Sequence, residues 1–304
     1  MSAPTPSLAD SLRTAGFKGE LRPHEPLAPC TTWQIGGPAE LLAVPANVDD
    51  LVVALAWAAS GSISWRLLGN GSNLLIHDRG VRGLVLRVRK VLDEIKVHGR
   101  RLTAGAGASF PAVARTAAAR GLAGLQFAAG IPGTVGGAVV MNAGWHQFET
   151  GNAIAAVDFL QSNGHRITMD HDQCKFTYRS SLFRRTPGVV LGATFQLEPG
   201  EPADIQAEVD EYTTARKLNQ PVDRPSCGSV YLQPSGDFAG RLIDAAGLKG
   251  RRVGAMEVSR LHANFFINTG GATCADALAL MDQVEQEVAR QFGVELVREV
   301  EFWQ

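Results

Sequence analysis

Much of what would assign this chain to a class at a glance is missing from it. Its four cysteines, Cys30, Cys174, Cys227 and Cys274, lie far apart, with no spacing that suits a metal site or a redox pair. They read as independent thiols in a reducing compartment, which excludes a disulfide-stapled secreted fold and gives no metal site. Charge of one sign is also lacking. Lys+Arg 29 against Asp+Glu 30 leave a formal net charge of -1, so no attraction to nucleic acid or an anionic membrane follows. The opening Met1-Ser2-Ala3-Pro4-Thr5-Pro6 has no basic and no apolar stretch of the kind a secretory signal needs. A soluble, cytoplasmic protein is expected.

Two local absences carry more information. Gly121 to Trp145 holds no charged residue and is long enough to cross a bilayer, but Gln126, Pro132, Asn142 and many glycines interrupt it. A lipid-facing helix must satisfy its own backbone hydrogen bonds, and this composition breaks a helix repeatedly. A membrane span is therefore rejected. Acidic residues are absent from Ile95 to Phe148, whereas Lys96, Arg100, Arg101, Arg115 and Arg120 are present. A stretch without carboxylates suits a bound pyrophosphate. An Ala/Gly-rich helix that needs no charge explains it equally well.

What is abundant is glycine, 33 of 304 residues, above the usual share of about 7%. It clusters at Gly69-Asn70-Gly71-Ser72-Asn73 and again at Gly130-Ile131-Pro132-Gly133-Thr134-Val135-Gly136-Gly137. The first cluster lies between strand-like Trp65-Arg66-Leu67-Leu68 and Leu74-Leu75-Ile76, so it opens no helix. Walker A and Rossmann loops both open one, and neither fits. The loop suits an anion held by successive backbone amides, with Ser72 and Asn73 as side-chain donors; an ordinary turn is the plainer reading. Gly105-Ala106-Gly107-Ala108-Ser109-Phe110 imitates a dinucleotide fingerprint more closely. However, Phe110 replaces the third glycine, and no acidic residue follows to hold a ribose.

The remaining pattern is mixed α and β. Val48 to Ser60 reads as a helix with Leu51, Leu55 and Ala58 on one face. Ser109 is placed as the cap of a helix that Gly121 ends. Val157 to Ser162, Asn163-Gly164 and His165 to Thr168 read as a hairpin closed by a type I′ turn. Val189 to Leu197 is a further strand, and Pro199-Gly200-Glu201-Pro202 punctuates the chain. A helix follows over about Ala203 to Leu218. The last helix spans about Thr273 to Phe292, with Thr273 and Asp276 as a capping pair and a stripe of Leu278, Met281, Val284 and Val288.

Three polar motifs stand in the second half: Phe176-Thr177-Tyr178-Arg179, Cys227-Gly228-Ser229-Val230-Tyr231 and Arg298-Glu299-Val300-Glu301-Phe302. An arginine, a hydroxyl and a carboxyl are the set needed when hydride addition to an electron-poor alkene leaves an enolate. Each has an ordinary structural reading as well. Arg179 could pair with a surface acid, Ser229 could turn the chain after Gly228, and Glu299 could face solvent from a strand end. His262 reads as a core or loop histidine. No Gly-x-Ser-x-Gly elbow occurs, which disfavours a serine hydrolase.

Taken in order, the motifs resemble the UDP-N-acetylenolpyruvoylglucosamine reductase family in its compact form. The likeness is carried by Thr31-Thr32-Trp33-Gln34-Ile35-Gly36-Gly37-Pro38-Ala39, the two glycine clusters with Ala138, and Met141-Asn142-Ala143-Gly144. It continues through Tyr178-Arg179-Ser180-Ser181, Gly228-Ser229-Val230-Tyr231, Ala246-Gly247-Leu248-Lys249-Gly250 and His262-Ala263-Asn264-Phe265. The resemblance implies an α+β fold whose FAD-binding domain is of the vanillyl-alcohol-oxidase (PCMH) type in two subdomains, with a C-terminal α+β substrate domain. Residues 1–30 would be an extension, 31–198 the FAD domain and 199–304 the substrate domain.

It further implies dissociable FAD, since the first glycine loop has no histidine to tether it, with NADPH as hydride donor and a UDP-sugar as substrate. The implied cofactor contacts are Gly36, Gly37, Gly69, Asn70, Gly71, Ser72, Asn73, Pro132, Gly133, Thr134, Gly136, Gly137, Ala138, Asn142 and Gly144. Tyr178, Arg216 and Gln233 would touch substrate. Arg179 and Glu299 would stabilise the enolate, and Ser229 would protonate it. A flavin oxidase on the same scaffold and a non-catalytic flavin-binding module are the alternatives. The chain departs from the family pattern at Tyr231-Leu232-Gln233-Pro234, where Phe-Lys-Asn-Pro is usual, at Glu301, where arginine is usual, and at Arg260-Leu261, where Glu-Lys is common.

Overall fold

A computed structural model describes residues 7–88 and 91–304. The chain forms two compact units that are not contiguous in sequence. The first comprises Met1–His24, Glu40–Asn70 and Gly83–Thr214; the second comprises Glu25–Ala39, Gly71–Arg82 and Ala215–Gln304.

The first unit is built on two sheets. A four-stranded sheet runs in the order Glu20–Pro23, Ala39–Val44, Val81–Arg87, Trp65–Leu68. The helices Leu8–Thr14 and Val48–Ser60 supply Leu12, Leu51, Ala54 and Leu55 to the core over it, against Leu41, Leu84 and Leu86. The N-terminal stretch is tied in by the buried Asp50 carboxylate. It accepts hydrogen bonds from the backbone N–H groups of Lys18, Gly19 and Ala46 at 2.9, 2.8 and 2.8 Å, so its charge is met by three donors.

The second sheet is antiparallel and five-stranded, in the order Arg166–Asp170, Ile154–Gln161, Gly188–Gln196, Arg101–Gly105, Ile95–His98. Inward residues Val157, Phe159, Val190 and Phe195 pack with the helices Phe110–Ala119 and Val135–Met141. The opposite face carries Asp158, Thr103 and Thr194, yet Leu160 and Val189 on it are buried in the core over the first sheet, so this sheet is partly covered on both sides. Two local expectations are corrected here. Only Gly164 has a positive φ in the hairpin, and its N–H donates to Gln161 C=O, so Asn163-Gly164 is no type I′ turn. That turn needs positive φ at both central residues. Ser109 does precede the Phe110–Ala119 helix, but its side chain makes no capping bond.

In the second unit, a four-stranded antiparallel sheet runs Ser226–Ser229, Phe265–Asn268, Met256–Val258, Arg252–Val253. The helices Ala239–Ala245 and Cys274–Phe292 cover it. The long helix has the expected reciprocal cap: Thr273 N–H donates to Asp276 at 3.0 Å, and Asp276 N–H donates to Thr273 at 3.1 Å. Gly293, at φ 68, ends it. Its buried stripe includes Ala277 and Leu280 besides Met281, Val284 and Val288. Segment 25–39 belongs to this unit because Trp33 and Ile35 sit in its core and Asn268 donates to Trp33 C=O at 3.0 Å. Leu74–Ile76 likewise pairs in parallel with Glu301–Trp303. Among the described residues no helix is long and apolar enough to cross a membrane.

Candidate active site

In the first unit, Arg179 occupies the tip of a tight loop. Thr177 and Ser180 exchange backbone hydrogen bonds at 2.9 and 3.0 Å, leaving Tyr178 and Arg179 between them. Arg179 has φ 51, a left-handed conformation that costs a non-glycine residue roughly 1–2 kcal/mol. Side chains around the loop offset that strain. Asn142, which ends the Val135–Met141 helix at φ 44, donates to Thr177 C=O at 2.9 Å and to Glu149 at 2.7 Å. Ser181 donates to Val140 C=O at 2.7 Å. The guanidinium itself donates to Gly144 C=O at 2.8 Å and lies 3.8 Å from a Glu149 oxygen. Tyr178, 48% exposed, lays its ring 5.1 Å from the guanidinium carbon.

In the second unit, Ser229 and Glu299 are brought together by neighbouring backbone. Gly228, at φ 83, turns the chain into Ser229, which pairs with Phe265. One residue on, Val230 C=O accepts from Glu299 N–H at 2.8 Å, and Leu232 N–H donates to Val297 C=O at 2.9 Å. The buried Asn264 carboxamide imitates a strand partner, accepting from Tyr231 N–H at 2.9 Å and donating to Tyr231 C=O at 2.8 Å. Asn73 holds the other side of the glutamate strand. Its carboxamide donates to Glu299 C=O and its carbonyl accepts from Glu301 N–H, both at 3.0 Å. The Glu299 carboxyl is near enough to the Cys227 thiol that, after burial, its charge helps push the thiol upward.

The glycines divide into two kinds. At Gly36 an added Cβ would lie 2.7 Å from Ile76 Cβ, and at Gly37 it would lie 2.2 Å from Asp78 C=O. At Gly71 it would meet Cys30 C=O at 2.3 Å, and at Gly144 it would meet Phe148 C=O at 2.2 Å. The chain's own backbone demands glycine at the last three, and the Ile76 side chain together with φ 138 demands it at Gly36. Gly69 packs on the Thr134 hydroxyl, with a Cβ distance of 2.8 Å, and Gly136 on Ala106 at 3.0 Å. The fingerprint-like 105–109 stretch serves the same packing: Ala106 and Ala108 carbonyls accept from Gly136 and Val135 at 2.8 and 2.9 Å. Gly137 is different. It is exposed, and a Cβ there would approach nothing nearer than Thr134 Oγ1 at 3.6 Å. A glycine that the fold does not require, at an exposed position, fits a surface on which a ligand rests against backbone.

The other expected residues have mixed placements. The carboxamide of Asn142 is taken up by protein partners, including Gly151 N–H at 2.8 Å, so it anchors loops. Asn73 likewise spends its carboxamide on the Glu299 strand. Gln233 accepts from Ala239 N–H at 2.8 Å at the start of the Ala239–Ala245 helix. Arg216 lies in the helix Pro202–Asn219, where burial pulls its guanidinium down to about 10, still charged at neutral pH. Tyr231, where the family has phenylalanine, is buried and donates to Met281 C=O at 3.1 Å. Glu149 and Asn264 were not singled out as site residues from sequence. Asn264 stood within a quoted motif, but Glu149 had only its place just after Asn142-Ala143-Gly144 to mark it.

Comparison with known proteins identifies the family. An FAD binding domain family matches residues 39–170, and the C-terminal domain family of UDP-N-acetylenolpyruvoylglucosamine reductase matches residues 220–303. The reductase of Rubrobacter xylanophilus is 47% identical over 277 residues, which cover 91% of this chain and 93% of the relative. That of Moorella thermoacetica is 44% identical over 297 residues, covering 98% and 97%. The crystal structure of the Thermus caldophilus reductase (MurB) superposes with a TM-score of 0.81 at 35% identity, covering 94% of this chain and 99% of that one. With both parts of the chain matched and relatives aligned over nearly its whole length, the chain belongs to the UDP-N-acetylenolpyruvoylglucosamine reductase family.

Proposed function

We infer that Arg179, Ser229 and Glu299 divide the protein's share of the reaction that family membership brings. That reaction is the FAD- and NADPH-dependent reduction of UDP-N-acetylglucosamine-enolpyruvate to UDP-N-acetylmuramate, in peptidoglycan precursor synthesis. The glycine loops Gly69–Asn73 and Pro132–Ala138 would hold the FAD, without a covalent tether. When bound, FAD supplies hydride to the enolpyruvyl methylene carbon, with NADPH as the electron source. What remains for the protein is charge and a proton.

As the methylene gains hydride, negative charge builds on the adjacent carbon and on its carboxylate. The Arg179 guanidinium neutralises that charge, and Glu299 in its protonated form donates a hydrogen bond to it. Ser229 then gives its proton to the carbanionic carbon, and a relay behind it restores the hydroxyl. Tyr178, Arg216 and Gln233 would contact the UDP-sugar. Reduced thiols and NADPH both suit a cytoplasmic reaction. The division into an FAD part, 31–198, and a substrate part, 199–304, follows the same assignment.

One observation carries the reading: Ser229 directly precedes Val230, whose C=O accepts from Glu299 N–H, in a chain whose other unit holds Arg179. The test is direct. The purified protein should be yellow, and its NADPH oxidation should depend on UDP-N-acetylglucosamine-enolpyruvate. Rapid NADPH oxidation by oxygen alone, indifferent to the UDP-sugar, would mark an oxidase instead. A colourless protein that takes up no FAD would remove the basis of both readings.

A further inference from the structure

We propose that Glu149 is a positioning residue for Arg179, holding the guanidinium before substrate arrives. This rests on the role given above to Arg179. The two-residue hairpin Gly144–Trp145 and Phe148–Glu149 places Glu149 opposite Gly144. One strand thus offers Arg179 a main-chain carbonyl at 2.8 Å, and the other offers it a carboxylate oxygen at 3.8 Å. The latter is an ion-pair separation, beyond hydrogen-bond length, so Glu149 steers the head group by charge.

Glu149 is itself fixed from two sides. Its second carboxylate oxygen accepts from Asn142 at 2.7 Å, and its backbone N–H donates to Asn152 at 2.8 Å. Asn142 at the same time holds Thr177 C=O at 2.9 Å, two residues from Arg179. One carboxamide therefore ties the loop backbone and the steering carboxylate together. Both partners are largely screened from water, at 17% and 26% side-chain exposure for Arg179 and Glu149, which strengthens the coupling relative to a surface pair. An arginine stem carries about 2 kcal/mol of rotamer entropy. Fixing it in the folded state removes that cost from the catalytic step.

The two half-reactions, followed by flavin absorbance in the purified holoprotein, separate this role from a general structural one. Glu149→Gln is expected to leave NADPH reduction of the flavin within about twofold and to slow reoxidation by UDP-N-acetylglucosamine-enolpyruvate by roughly 10–100-fold. In an Arg179→Ala background the same substitution should add almost nothing, because its effect passes through the arginine. Equal slowing of both half-reactions, full additivity with Arg179→Ala, or unchanged reoxidation would overturn the proposal. If Glu149→Gln fails to fold, Glu149→Asp keeps the charge one methylene further back and must show the same split, with a smaller slowing. A wild-type protein whose flavin is not reoxidised by this substrate would instead sink the activity reading itself.

Discussion

The two units place their reactive groups by opposite means. In the first, Arg179 ends a long flexible stem on a left-handed residue, and the Gly144 carbonyl, Glu149 and Asn142 hold its head group and loop. In the second, Ser229 and Glu299 are set by neighbouring backbone, reinforced by Asn264 and Asn73. The difference follows from side-chain length. A hydroxyl one bond from Cβ goes where the backbone goes, so a strand ladder suffices. A guanidinium at the end of a long, many-jointed stem must be gripped where its charge is.

The largest effect that sharpens this contrast is expected at Ser229 itself. Ser229→Ala should slow reoxidation by substrate roughly 10²–10⁴-fold while leaving NADPH reduction of the flavin intact, as read by stopped-flow absorbance. Comparable loss in both halves would mean that the serine shapes the unit and does no chemistry. The next effect is in cofactor retention. Gly137→Leu should weaken FAD binding at least about tenfold, or 1.4 kcal/mol. The same change should leave the apoprotein's melting temperature unchanged or slightly raised, since leucine is the better helix former and the space is open. A lower apoprotein melting temperature would show that the fold needs this glycine after all.

Asn264→Ala and Asn142→Ala compare the two kinds of support directly. The first strands both the N–H and the C=O of buried Tyr231, each worth about 1–3 kcal/mol, and should lower stability in denaturant melts. The second removes a three-bond anchor and should impair substrate reoxidation more than its stability loss explains. The reverse ranking would undo the contrast between backbone and side-chain positioning.

The smallest effect is with alkali. Burial, then Asp170, pushes Cys174 up to about 11, and burial, then Asp78, pushes Cys274 up to about 12. Burial also raises Cys227 and Tyr231. Because the folded-state values lie above the unfolded ones, the unfolded chain loses these protons first. The stabilisation is complete below about pH 9 and disappears as pH rises through about 11 to 12. Three of the four groups belong to the second unit, so it should open first with rising pH. Thiol titration across that range reads the order; earlier exposure of Cys174 would contradict it.

Several elements were legible before any coordinates. The Val48–Ser60 helix, the Thr273–Asp276 cap and the strands flanking the first glycine loop follow from local pattern, because capping and periodicity act within a few residues. The type of the hairpin turn is not legible in Asn-Gly alone, which leaves it to the strand register. Glu149 carries no local signal, because its partners, Asn142 and Arg179, lie 7 and 30 residues away along the chain.

By itself, the sequence determined the chemistry available: an arginine, a serine and a glutamate in recognisable order behind two glycine-rich loops. It could do so because residue types and short spacings survive without a fold. Tertiary structure alone decided how those groups are held. Segments 25–39 and 71–82 pack with the C-terminal unit, and several glycines serve the chain's own backbone. Asn73 and Asn142 spend their carboxamides on positioning. Such assignments depend on which distant backbone atoms meet, and only close packing of the finished core fixes that.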